Sequence, residues 1–400
     1  MLSPETLILL GNSAGYNGII FYMSVAAAAV VCFICACSIF YPGSVAGEEN
    51  ELSLLTRGIG RFPGASLVLS ARLAMTLLAA TSVLVIAGYA FNEIFLYWFP
   101  NFGFAFLLLG LILICNLLRV SWATTLQMLL VVFTLLSFSI LLISGLLSAP
   151  ATDITPQGGE HVSLAAAAGA LLLFLGFDLI INSEQKNKLI PAIVAISTIF
   201  MLFVLWGAVS RTYVPTTSLT ESTLPHLTAA RAVMGQNGRL LMGIVVICGA
   251  TATVNGLFIY MGQTVRNLAV HELLPSFGGD TLQRLAGILM AVTIGILMMT
   301  GLAGDPKLTV YYRGALLLWL LLLAVRCLAM ACQPTVSKHF SILGLAAGCT
   351  MGITSIIIWF TAEYRRDLIV FSLLVYAGGL LLVMVWPAMV KLFPKLKKIN

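Results

Sequence analysis

The sequence predicts an all-α polytopic membrane protein, and three observations carry that expectation. Of the 400 residues, 60% are hydrophobic and only 9% are charged, with a mean hydropathy of +1.04; a soluble domain carries about 25% charged residues. Apolar runs recur along the whole chain, cut by short stretches rich in charge, Pro and Gly, and a bilayer-crossing helix needs about 20 such residues. None of the runs alternates as a strand would, so each is expected to satisfy its backbone within a helix.

Taken in order, the runs fall at 18–41, 67–96, 103–118, 123–148, 163–182, 190–210, 240–268, 285–303, 310–332, 341–361 and 367–390, after a short opening piece at 1–17. The first holds Cys32, Cys35 and Cys37, small soft side chains suited to packing; no histidine stands at metal-ligand spacing, so no metal site is expected. The eight cysteines form no disulfide framework. Run 67–96 is long enough to tilt or project, and 123–148 contains no charged residue. Pro191 suits the first turn of the 190–210 helix. The Thr-rich stretch 211–239 reads as a solvated connection. Arg326, near the end of 310–332, is expected to snorkel to the interface. Residues 1–15 lack a basic start and contain Pro4 and Glu5, which argues against a cleavable leader.

Lys and Arg set the orientation. With Lys391, Lys395, Lys397 and Lys398 in the cytoplasm, the inner ends also collect Arg57, Arg61, Arg72, Arg119, Lys186, Lys188, Arg266, Arg284, Arg326 and Lys338, 14 in all; 7 remain outside. A cytoplasmic C-terminus and an inner (plasma) membrane location are expected. The net charge of +6 fits inner loops and a basic tail, with the bilayer and a small molecule as partners and no nucleic acid.

Asp178, in "FLGFDLIINSEQKNKLIP" (174–191), stands within an apolar run, where a lone charge is costly. Gly176, two residues earlier, frees the backbone from helical angles. Asp178 then either caps the amides of the second half-helix or borders a broken helix that offers carbonyls and amides to a small polar solute. Glu93, beside "FLYWFP", reads as a surface anchor. Glu184, Lys186, Asn187 and Lys188 form a short polar loop that could also lock a gate. Thr251, Thr253 and Asn255 place small polar groups within little more than one turn of a helix, for packing or for a hard monovalent cation. Asn17, Asn116 and Gln127 are read as packing residues.

These motifs resemble the amino acid–polyamine–organocation superfamily of secondary transporters. The sixth helix of that superfamily carries a pattern close to F-x-G-F-D, then an acidic-basic stretch and a Pro opening helix seven; here stand Phe174, Gly176, Phe177, Asp178, Glu184, Lys186, Asn187 and Pro191. Its eighth helix carries Thr-x-Asn, a later Arg and a turn ending in Leu-Pro, matched by Thr253, Asn255, Arg266 and "LAVHELLP". "RFPGAS" (61–66) and 116–136 resemble the stretches before helix three and at helix five.

The resemblance implies a leucine-transporter-like inverted-repeat fold, with the eleven runs as helices 2–12: a first repeat at 1–148, a second at 163–332 and two peripheral helices at 341–390. It implies secondary active transport of an amino acid or related amine by alternating access. Phe174, Gly176, Phe177, Asp178 and Asn255 would bind substrate, Thr251 and Thr253 a coupling ion, and Glu184 and Arg266 would serve as a gate. No cofactor is implied beyond a sodium ion or proton, and exchange stays open. Two departures stand out. The Gly-x-Gly-Ile-Phe-like break of the first helix is not found in "GNSAGYNG" (11–18), so that helix is expected upstream of Met1 or lost. The acidic pair after helix six becomes Ser183-Glu184-Gln185. A membrane-embedded enzyme would need clustered catalytic groups, whereas His161, His226, His271 and His339 all fall in expected loops, so no enzyme is expected. A transporter-like sensor or assembly partner would bind solute without flux.

Overall fold

The computed structural model describes residues 3–40, 51–118, 120–148, 169–182, 187–275, 281–301, 306–334 and 336–392. Regular structure among them is helical throughout: α1 (Pro4–Phe40), α2 (Glu51–Ile59), α3 (Arg61–Ile94), α4 (Asn101–Leu118), α5 (Val120–Leu147), two 3-10 segments (Ala170–Phe174 and Phe177–Asn182), α6 (Leu189–Tyr213), α7 (Thr216–Glu221), α8 (Pro225–Val270), α9 (Thr281–Met299), α10 (Pro306–Ala331), α11 (Lys338–Thr361) and α12 (Arg365–Leu392). Ten of these are long and apolar enough to cross a membrane, and the chain is an integral membrane protein.

Three differences from the sequence reading concern the elements. The opening piece is helical and continuous with the first run, interrupted at Gly18 (φ 51°, ψ −127°), a conformation that glycine tolerates because it has no Cβ. Stretch 211–239 is not a plain loop: it holds the end of α6, α7 and the start of α8, which departs from helical angles at Met234 and Gly235. Residues 51–59, expected in a connection, form α2, whose Leu52, Leu54 and Leu55 are buried while Arg57 stays exposed.

Burial separates inner from outer helices. The apolar windows of α3 and α10 are 78% and 83% buried, against 22% for α12 and 28% for α4 and α9. Helices that lie in lipid gain little from hiding apolar surface from one another, so close packing and polar contacts must specify their arrangement.

The chain divides into two compact units. The first comprises 1–29, 80–174 and 197–256. In it α4 packs on α5, the rings of Phe138 and Trp206 lie 5.2 Å apart, and Phe174 meets Phe203 edge-on at 5.9 Å. The second comprises 30–79, 175–196 and 257–400. There α10 packs against α2, α11 and α12. Leu318 and Leu322 of α10 join Leu55, Leu67, Val68 and Ala71 in one buried cluster.

Candidate functional site

The run around Gly176 is not a continuous helix. Ala170–Phe174 and Phe177–Asn182 are separate 3-10 turns, joined through Leu175 and Gly176, and Gly176 has φ 113°. No L side chain adopts that angle cheaply. The tight second turn is held by Leu179 N–H donating to the Gly176 carbonyl at 3.3 Å. Phe174, Phe177 and Asp178 are all buried.

Asp178 does not cap a helix. Its Oδ2 accepts from Arg72 Nη2 at 2.5 Å and from Arg326 Nη1 at 3.1 Å. Trp319 Nε1 donates to its Oδ1 at 3.1 Å and to its Oδ2 at 3.2 Å. Glu51, on the first turn of α2, repeats the arrangement: Oε1 accepts from Arg72 Nη2 and Arg326 Nη1, each at 2.9 Å, and Oε2 accepts from the Tyr260 hydroxyl at 2.5 Å. The guanidinium of Arg72 lies 4.3 Å from the Trp319 ring centre and 4.7 Å from that of Tyr260, where the ring quadrupoles stabilise a cation.

Four charges thus alternate in a closed ring that is neutral overall, and none of the four residues exceeds 2% exposure. All six residues belong to the second unit. Neutrality is what makes the burial tolerable: a single unpaired charge there would shift its proton or move to water, whereas paired and hydrogen-bonded charges can stay. The ring is nonetheless short of acceptors. Among the described residues, Arg72 Nε and Nη1 and Arg326 Nε and Nη2 are buried with no protein acceptor within hydrogen-bond distance, and a buried donor left unpaired costs about 1–3 kcal/mol. Lys188, just ahead of α6, is held below the ordinary lysine pKa, first by partial burial and then by the Arg326 guanidinium.

One sequence expectation is corrected by this ring. Arg326 does not snorkel: its side chain is 0% exposed and ion-paired, and Arg72, 1% exposed, is buried beside it. The sequence reading did not single out Glu51, and it counted Arg72 only among the cations of the inner ends. The signal that could have found them is Glu51 leading an apolar Leu52–Leu55 pattern, and Arg72 sitting 11 positions inside an unbroken apolar helix.

Asn255 belongs to a second network, in the first unit. Its Nδ2 donates to the Ala123 carbonyl and to Gln127 Oε1, and its Oδ1 accepts from Asn116 Nδ2, each at 2.9 Å. Asn116 and Gln127, read singly as packing residues, are its partners. Thr251 and Thr253 donate their hydroxyls to the carbonyls of Ile247 and Gly249 one turn back, at 2.7 Å, the usual local bond of a helical threonine. Arg266 is exposed. Glu184 lies outside the described residues. Glu93 is 55% exposed and pairs with Arg239 at 2.9 Å, as a surface anchor would. Among the described residues no group of three or more His, Cys, Asp or Glu side chains could hold a metal.

Comparison with known proteins places the chain. The profile of the family described as "Amino acid permease" matches residues 1–396. No curated protein matches in sequence. Among solved structures, a variant of the manganese transporter of Eremococcus coleocola superposes with a TM-score of 0.59 at 13% identity, covering 100% of this chain and 95% of that one. The same transporter in complex with an aromatic bis-isothiourea substituted compound gives 0.58 at 13% identity, with the same coverage. At such identity the likeness speaks for the fold alone. The chain belongs to the amino acid permease family, within the amino acid–polyamine–organocation superfamily of membrane transporters.

Proposed function

We propose that the protein is a secondary transporter for an amino acid or a related amine, working by alternating access about the interruption at Gly176. The observation that carries this reading is the loss of regular winding at Leu175–Gly176 within an apolar run, with Asp178 buried immediately beyond it. An interrupted helix presents main-chain groups that a continuous one keeps to itself, and these can bind a small polar solute away from water.

The ring refines the roles. Both carboxylate oxygens of Asp178 are engaged by Arg72, Arg326 and Trp319, so the substrate ammonium meets main-chain carbonyls at Phe174–Phe177 and Asp178 acts by positioning the second turn. Asn255, with both amide atoms engaged, positions α4 and α5 against α8. Thr251 and Thr253 keep oxygen lone pairs that suit a sodium ion, and proton coupling is the other route; Glu184 and Arg266 remain the proposed gate pair. The excess of Lys and Arg on one side supports a cytoplasmic C-terminus in a plasma (inner) membrane. The inverted repeats at 1–148 and 163–332 follow from the same reading.

Uptake of radiolabelled amino acids and their decarboxylated amines into proteoliposomes, with sodium and pH gradients imposed separately, tests it. Accumulation of one such class, reduced by Gly176→Ala, supports the reading. No accumulation of any of them under either gradient rejects it.

A further inference from the structure

Two features of the buried ring oppose each other. All four of its carboxylate oxygens are engaged: they receive hydrogen bonds from Arg72, Arg326, Tyr260 and Trp319. Its donors are not: among the described residues, four guanidinium nitrogens are buried with no protein acceptor. Closing the ring gains ion pairing at low dielectric; opening it to water would satisfy every stranded donor. Where desolvation offsets much of the Coulombic gain, closed and open arrangements can lie close in free energy.

The ring's position gives such switching a mechanical meaning. It joins α2 through Glu51, α3 through Arg72, the second 3-10 turn through Asp178, α8 through Tyr260, and α10 through Trp319 and Arg326. Asp178 stands two residues beyond Gly176, whose φ of 113° marks a backbone position able to absorb a change of direction. Release of Asp178 would free the turn 177–182 from α3 and α10 while Glu51 could still be held. We infer that the ring Glu51–Arg72–Asp178–Arg326, trimmed by Tyr260 and Trp319, is a releasable latch whose opening frees the 177–182 turn and admits water to the interior of the second unit. The inference rests on the alternating-access reading.

Native cysteines report on it. Cys35 Sγ and Cys327 Sγ lie 3.2 Å apart, both 0% exposed, and Cys327 adjoins Arg326 on α10. Cys332, at the end of the same helix, is exposed and serves as the internal control. The full chain in liposomes is treated with N-ethylmaleimide and the labelled peptides are quantified by mass spectrometry. In the unaltered protein, Cys35 and Cys327 should react faster than global unfolding allows. Tyr260→Phe and Trp319→Phe, each removing one hydrogen-bond donor to a carboxylate while keeping the ring's charges, should raise that rate about three- to thirtyfold and leave Cys332 unchanged. A rate in the unaltered protein equal to that of global unfolding overturns the latch. So do unaltered rates in both variants, the behaviour of a cluster that only holds helices together. Uptake measured on the same vesicles separates the two proposals: normal uptake with unmoved cysteine rates removes the latch alone, and absence of uptake by the unaltered protein removes the transport reading on which it rests.

Discussion

Arg72 Nη2 reaches Asp178 Oδ2 at 2.5 Å across 106 residues of sequence, with both side chains essentially sealed from solvent. This contact ties the turn after the helix interruption to the inner helix α3, and Arg326 meets the same oxygen from α10. Removing one member therefore does more than delete a bond. It leaves opposite charge buried and uncompensated.

Asp178→Asn should be strongly destabilising, because the ring would then hold two cations and one anion with no solvent to offset the imbalance. The expected loss is about 3–5 kcal/mol, the usual cost of removing one partner from a buried pair. Thermal unfolding in detergent checks it. A midpoint within a degree of the unaltered protein would show that the ring opens at no cost.

Gly176→Ala tests the interruption itself. At φ 113° an added Cβ strains the backbone, with a cost of about 1–3 kcal/mol. The chain relieves that strain either by losing stability or by rewinding residues 175–177. Proteoliposome uptake should fall at least tenfold while membrane insertion, followed by protease protection, is kept.

Asn255→Ala should strand Gln127 Oε1 and one acceptor at the Ala123 carbonyl. A double-mutant cycle with Gln127→Ala should return a coupling of about 0.5–3 kcal/mol, the range for residues sharing one hydrogen-bond network. Strict additivity would mean that the two amides do not cooperate.

Glu93→Gln should be nearly silent. Its partner Arg239 is 23% exposed and Glu93 itself 55%, and exposed pairs contribute about 0–1 kcal/mol. Unfolding midpoint and uptake should both match the unaltered protein. A large effect on uptake with no effect on stability would move Glu93 from the surface to the solute path.

Mild oxidation with copper phenanthroline should join Cys35 to Cys327, since their sulfurs are already in contact at 3.2 Å. Non-reducing peptide mapping would detect the cross-linked pair, and dithiothreitol would reverse it. Recovery of both thiols unmodified after prolonged oxidation would show that α1 and α10 do not hold this approach.

Although it missed the interruption at Gly18 and the helices within 51–59 and 211–239, the sequence by itself determined that the chain is a bundle of membrane helices, where most of their apolar runs lie, and that one of them breaks at Gly176. Each of these follows from local chemistry: apolar length sets a span, and a glycine ahead of an acidic residue in an apolar run breaks it. The Phe174–Asp178 and Thr253–Asn255 motifs were enough to point to the family. Only the tertiary structure decided what the charges do. Arg72 and Arg326 read one at a time as residues of the inner ends, because a single arginine near a helix end can snorkel, and nothing local singles out Glu51. Their burial is tolerable only when two cations and two anions meet, and that meeting joins residues 21 to 275 positions apart. Charge neutrality is a property of the assembled ring, and no local pattern along the chain contains it.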